Sequence, residues 1–82
     1  MKAPIVKVTW DDAEDLGGQT WIEAEDVAAF AVHSCQVVSV GYIVARTKKH
    51  LTLASDWIEE NRQFGRVTKI PTAMVVSIKK FK

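Results

Sequence analysis

The sequence predicts a mostly-β domain, a small five-stranded barrel with one short helix inserted after the first strand. Residue usage is the first sign. Valine occurs 11 times and isoleucine 6 times against only 3 leucines, and 6 threonines add to the β-branched set. Two substituents on Cβ suit a pleated surface and crowd a helix. Spacing is the second sign. Short runs of alternating apolar residues recur along the chain, broken by Gly, Pro or clustered charges.

The 82 residues suffice for one domain, because two would leave neither with a usable core. Hydrophobic residues at 48 % and charged residues at 26 % are proportions of a folded chain, not a disordered one. The net charge of +1 gives no global pull toward nucleic acid or membrane. Cys35 is the only cysteine, so no intrachain disulfide forms and a thiolate metal site has almost no sulfur to draw on. A domain this small is only marginally stable by itself, so a homo-oligomer is expected.

Val6, Val8 and Trp10 alternate with Lys7 and Thr9 in a first strand, Ile5 to Trp10, with Pro4 just outside it. An acidic loop from Asp11 to Gln19 turns at Gly17-Gly18. Thr20 and Glu23 have the spacing of a capping box and predict a helix of two or three turns ending near Phe30 to Val32. Trp21, Val27 and Phe30 are its expected buried stripe. Cys35 to Thr47 is the longest strand, apolar on both faces, and Gly41 at its middle predicts a bend or a close backbone approach. Leu51 to Ser55 is its hairpin partner. Asp56 to Gly65 reads as a polar loop carrying Trp57, Ile58 and Phe64, and Arg66 to Ile70 as another short strand. Pro71 to Ala73 is a tight turn, since Pro fixes φ and lacks a ladder donor. Met74 to Phe81 closes the set, with Met74, Val76 and Ile78 inward.

Five short strands fit a closed barrel, because closure removes exposed edges. The strand–Pro turn–strand step at the end is the connection of SH3-like and Sm-like barrels. The stretch from Val27 to Ala45 contains no Asp, Glu, Lys or Arg, but its polar residues and alternating second half read as a helix followed by a strand, not a membrane span. Met1 to Trp10 has no apolar run long enough for a secretory signal.

Four segments carry a family likeness: Val8-Thr9-Trp10-Asp11, the run from Cys35 to Val44, Leu51-Thr52-Leu53-Ala54-Ser55, and Ile70-Pro71 before a closing Val-Ser-Ile strand. Together they resemble a loose group of short accessory proteins of tailed bacteriophages. The likeness covers nearly the whole chain and rests on structural positions. It implies a viral origin, a host bacterial cytoplasm and a small β-barrel, and it brings no catalytic motif. It also implies action by binding: blunting a host enzyme, coating nucleic acid, or sequestering a nucleotide immune signal between subunits.

The residues themselves offer no enzyme signature. Asp11, Asp12, Glu14 and Asp15 lack the spacing of a calcium loop, with Ala13 and Leu16 at its third and sixth positions. Cys35 with His33 and His50 lacks an acid partner or a nucleophile elbow, and a free cysteine in such a run is ordinarily a small hydrophobe. No phosphate-binding or dinucleotide-binding glycine motif occurs. The expectation is a non-enzymatic protein with no catalytic residue, metal or cofactor.

Charge placement is more informative. Residues 1–26 carry 2 basic and 7 acidic side chains, net −5, whereas residues 27–82 carry 9 basic and 3 acidic, net +6. Such a division suits either a solvated surface of mixed sign or complementary faces that support self-association or an anionic ligand. The candidate ligand-binding residues are Trp10, Tyr42, Arg46, Trp57 and Arg66. Arg46 and Arg66 would hold phosphate, and Tyr42, Trp57 or Trp10 would stack on a base. The leading expectation is an oligomeric counter-defence module that sequesters a nucleotide-derived signal. The alternatives are an RNA or single-stranded DNA binder, and an inhibitor of a host protein.

Overall fold

The computed structural model describes residues 3–14, 16 and 21–81. Its elements are β1 (Ile5–Asp12), α1 (Ala24–Ala31), β2 (Cys35–Arg46), β3 (His50–Ile58), β4 (Gln63–Pro71), a 3-10 turn (Thr72–Met74) and β5 (Val75–Lys80). The strands form one antiparallel sheet in the order β4-β3-β2-β1-β5. The mostly-β class, the five strands and the helix after the first strand agree with the sequence.

The long strand β2 joins two ladders. Its first part, Cys35 to Tyr42, pairs with β1, and its last part, Tyr42 to Arg46, pairs with β3. Gly41 sits beside the handover. A Cβ there would stand 2.6 Å from the Ala54 carbonyl oxygen, so the strands approach as closely as they do only because the residue is glycine. The register slips between Ile43 and Ala45, a bulge that adds twist where the strand changes partner.

The core is small. Val6, Val8, Leu51, Leu53 and Ile70 are buried, with Trp10, Ile43, Val75 and Ile78 packed against them. Each fully buried Val, Leu or Ile contributes about 1.5–3 kcal/mol. The expected inward set of β1 is the observed one. That of β5 holds at Ile78 only: a register shift between Thr9 and Trp10 places Val75 against the core beside it, leaves Val76 exposed, and Met74 belongs to the 3-10 turn. One extra residue in a strand moves every later side chain to the other face.

The expected closed barrel is absent. The sheet is open, with β4 and β5 as its edges and no pairing between them among the described residues. In addition, β3 and β4 stay paired to Ile58 opposite Gln63, beyond the last contact of β3 with β2 at Ala54. They leave the sheet as a two-stranded arm. The expected polar loop from Asp56 to Gly65 is therefore mostly strand, with a turn only over residues 59–62. Cross-strand pairing of Trp57 with Phe64 outweighs the polar composition around it. The radius of gyration is 16.6 Å, against about 12 Å for a compact chain of this length.

The helix also departs from expectation. Glu23 is the N-cap and has no side-chain cap bond, so α1 starts later than the capping box requires. Thr20, the other half of that box, lies outside the described residues, as do Asp15, Gly17, Gly18 and Gln19 of the acidic loop. Glu25 and Asp26 occupy the first turn, where the helix dipole favours them. No residue of α1 is fully buried: of the expected buried stripe Trp21 and Val27 are exposed and Phe30 is half-buried. Among the described residues no helix is long and apolar enough to cross a membrane.

Candidate functional site

The arm formed by β3 and β4 brings two of the five candidate residues together. Trp57 and Phe64 pair directly across it, with ring centroids 4.7 Å apart and planes inclined at 49°. The Arg62 guanidinium lies 5.6 Å from the Trp57 ring centroid, a cation–π contact. The Trp57 indole Nε1 donates to Glu59 Oε1 at 3.1 Å. Trp57 is half-buried and Phe64 is exposed.

Arg66 lies two residues beyond Phe64. Its Nε and Nη2 donate to Asp56 Oδ2 and Oδ1 at 2.8 and 3.0 Å. These bonds hold the Asp56 carboxyl below the usual aspartate range and raise the Arg66 guanidinium above its own ordinary value. Arg62 and Arg66 have φ of 56° and 50°, the only positive values on non-glycine residues described. A bulky residue in that region is uncommon and costs about 1–3 kcal/mol. Both such residues bracket Phe64, and both are arginines.

The other three candidates lie elsewhere. Trp10 packs against the core, and its Nε1 donates to Ser39 Oγ at 3.0 Å, which satisfies the one polar group of the indole. Tyr42 is half-buried between Ile5 and Ala54. Arg46 is exposed at the end of β2, opposite Leu51. Along β3 from Leu51 to Trp57 is roughly 20 Å. Arg46 therefore shares a small ligand with Trp57 only across two copies of the chain.

Arg46 has basic neighbours. Lys48 and Lys49 form the turn after it, and Lys69 stands on β4 opposite Thr52. Among the described residues none of these four cations has an ion-pair partner. At the opposite end of β2 lie Asp11 and Asp12, opposite Gln36 and Cys35. His33 Nδ1 is 3.0 Å from Glu14 Oε2, tying the chain after β1 to the chain after α1.

Phe64 and Arg62 lie in the stretch expected to be a loop and are not among the five candidates, although their basic and aromatic character beside Trp57 and Arg66 is visible in the sequence. Only the cross-strand register shows that they share the arm with Trp57. Among the described residues no group of three His, Cys, Asp or Glu side chains could hold a metal ion. No protein-family model, curated protein or solved structure matches this chain.

Proposed function

We propose that the protein is a non-enzymatic binding module that sequesters a nucleotide-derived signal, in the manner of a phage counter-defence protein. The aromatic arm carries the reading: the Trp57–Phe64 pair bracketed by two arginines in strained backbone. Strained residues persist where the surrounding structure over-determines them, and they cluster at binding sites. A purine or pyrimidine stacks on the exposed ring of Phe64 or displaces Arg62 from Trp57. Displacement costs one exposed cation–π contact, about 0.5–1 kcal/mol. Stacking a base on an aromatic ring returns about 1–3 kcal/mol. The displaced guanidinium then serves as a fork for phosphate.

The sheet belongs, on the same proposal, to the SH3-like and Sm-like architecture. Its strand order and the 3-10 turn between the edge strands support this. Such barrels also bind RNA and single-stranded DNA. The arm favours a small ligand over a strand of nucleic acid. From Asp56 to Arg66 it carries three acids and two arginines, which is not a cationic track.

Calorimetry against cyclic nucleotides, ADP-ribose-type nucleotides and short oligonucleotides tests the reading. Binding of a mononucleotide-scale ligand that is lost in Trp57→Ala supports it. Binding of oligonucleotides alone, with a steep salt dependence, replaces it with the nucleic-acid reading. Binding of neither leaves a host protein as the target.

A further inference from the structure

The chain exposes 6544 Å². A compact domain of this mass exposes about 4,900 Å². The excess, about 1,600 Å², reflects the projecting arm and the unpacked helix, and it leaves ample surface for a contact face of standard size, about 800 Å². The exposed apolar residues show part of where it lies. Trp21 is 88 % exposed and Val32 84 %, and both flank a helix that has no fully buried residue.

The charges show what fits there. β2 is 12 residues long, so its ends are roughly 36 Å apart along the strand. Asp11, Asp12, Glu23, Glu25 and Asp26 belong to the Cys35 end, where β1 terminates and α1 leads in. Arg46, Lys48, Lys49 and Lys69 belong to the Arg46 end. Sheet geometry keeps the two groups from neutralising each other within one chain.

We propose that the acidic end of one copy, α1 and its flanks included, seats against the basic end of a second copy. Trp21 and Val32 lose their exposure in this contact, and lysines of the second copy face the carboxylates. β3 is antiparallel to β2, so Trp57 lies away from the basic end of its own chain. In the proposed contact it is Arg46 of the second copy that comes toward the aromatic arm of the first. The inference rests on the placement of charge and exposed apolar surface and not on the ligand of the proposed function.

Light scattering on the full chain, at about 50 mM and about 500 mM salt, tests it. The expected low-salt mass is at least twice 9.2 kDa and falls toward 9.2 kDa at high salt. Lys48→Glu/Lys49→Glu and Asp12→Lys/Glu25→Lys, all exposed positions, are each expected to be monomeric at low salt, and an equimolar mixture of the two recovers the larger mass. Circular dichroism matching the parent shows that each variant is folded. A monomer at both salts overturns the proposal, as does an oligomer that ignores salt and both variants. The calorimetry reads the ligand separately: nucleotide binding by a monomer defeats only this inference, and a salt-sensitive oligomer that binds no nucleotide defeats only the functional reading.

Discussion

The guanidinium of Arg66 grips the carboxylate of Asp56 with two hydrogen bonds across the arm. The residue opposite Asp56 is Gly65, where a Cβ would lie 3.2 Å from the aspartate Cβ. The missing side chain gives the carboxylate room, and the left-handed backbone of Arg66 aims the guanidinium at it. Both features serve to shape the arm beside Trp57 and Phe64.

The first prediction concerns pH. Hydrogen bonding from Arg66, with its charge, depresses Asp56 in the folded state. A depressed carboxylate stabilises the fold above its unfolded value, and that contribution is lost as pH falls through the folded value. Arg66 stays charged throughout. The tie is therefore intact at neutral pH and lost only in acid, below the usual aspartate range. A carboxyl titration by NMR is expected to return Asp56 to the ordinary range in Arg66→Ala. An unchanged titration curve in that variant would show that the pair does not persist in solution.

The second prediction concerns Gly41. Adding one methyl group drives it into the Ala54 carbonyl, which is backbone and has no rotamer to yield. Overpacking of this kind costs about 1–3 kcal/mol. Gly41→Ala is expected to lower the urea midpoint accordingly, with the ladder between β2 and β3 losing amide-exchange protection first. A midpoint equal to the parent's would mean that the strands separate there without cost.

The third prediction separates two tryptophans. Ser39→Ala leaves the Trp10 indole N–H without its acceptor and is expected to cost about 0.5–1.5 kcal/mol. Trp21→Ala removes a ring that touches little, so the change in the stability of the monomer is expected within about 0.5 kcal/mol. Denaturation at high salt, where copies separate, measures both. Equal losses from the two variants would contradict this placement of the rings.

The contrast also shows what the sequence reveals. Val6, Val8 and Trp10 alternate over a face that is buried, so the first strand and its core residues are legible. Gly41 is legible because a glycine among β-branched residues needs a steric reason. The arm is not, because Trp57 and Ile58 gain their strand pairing from Phe64 and Gln63 beyond the turn. Nor is the inward set of β5, which depends on a bulge formed against another strand. Composition alone does not distinguish Trp10, which anchors the core, from Trp57, which stands on the arm. That distinction depends on tertiary contacts.

The last prediction joins Arg46 to Trp57. Within one chain they lie roughly 20 Å apart along β3, too far for one mononucleotide. In the proposed assembly they come from different copies and form one site. Arg46→Ala then removes a charge-assisted contact, roughly 1.5–3 kcal/mol or about ten- to a hundred-fold in affinity. Trp57→Ala removes the stacking surface. Each variant alone is expected to bind nucleotide poorly, because every site it builds lacks the same group. Mixed, the two variants form some sites in which an intact Arg46 meets an intact Trp57. The mixture is therefore expected to recover a fraction of parental capacity at near-parental affinity. Calorimetry on the mixture, against each variant at the same total concentration, makes the measurement. No recovery, with both variants folded and still associating, would remove Arg46 from the site and leave the arm of a single chain as the whole of it.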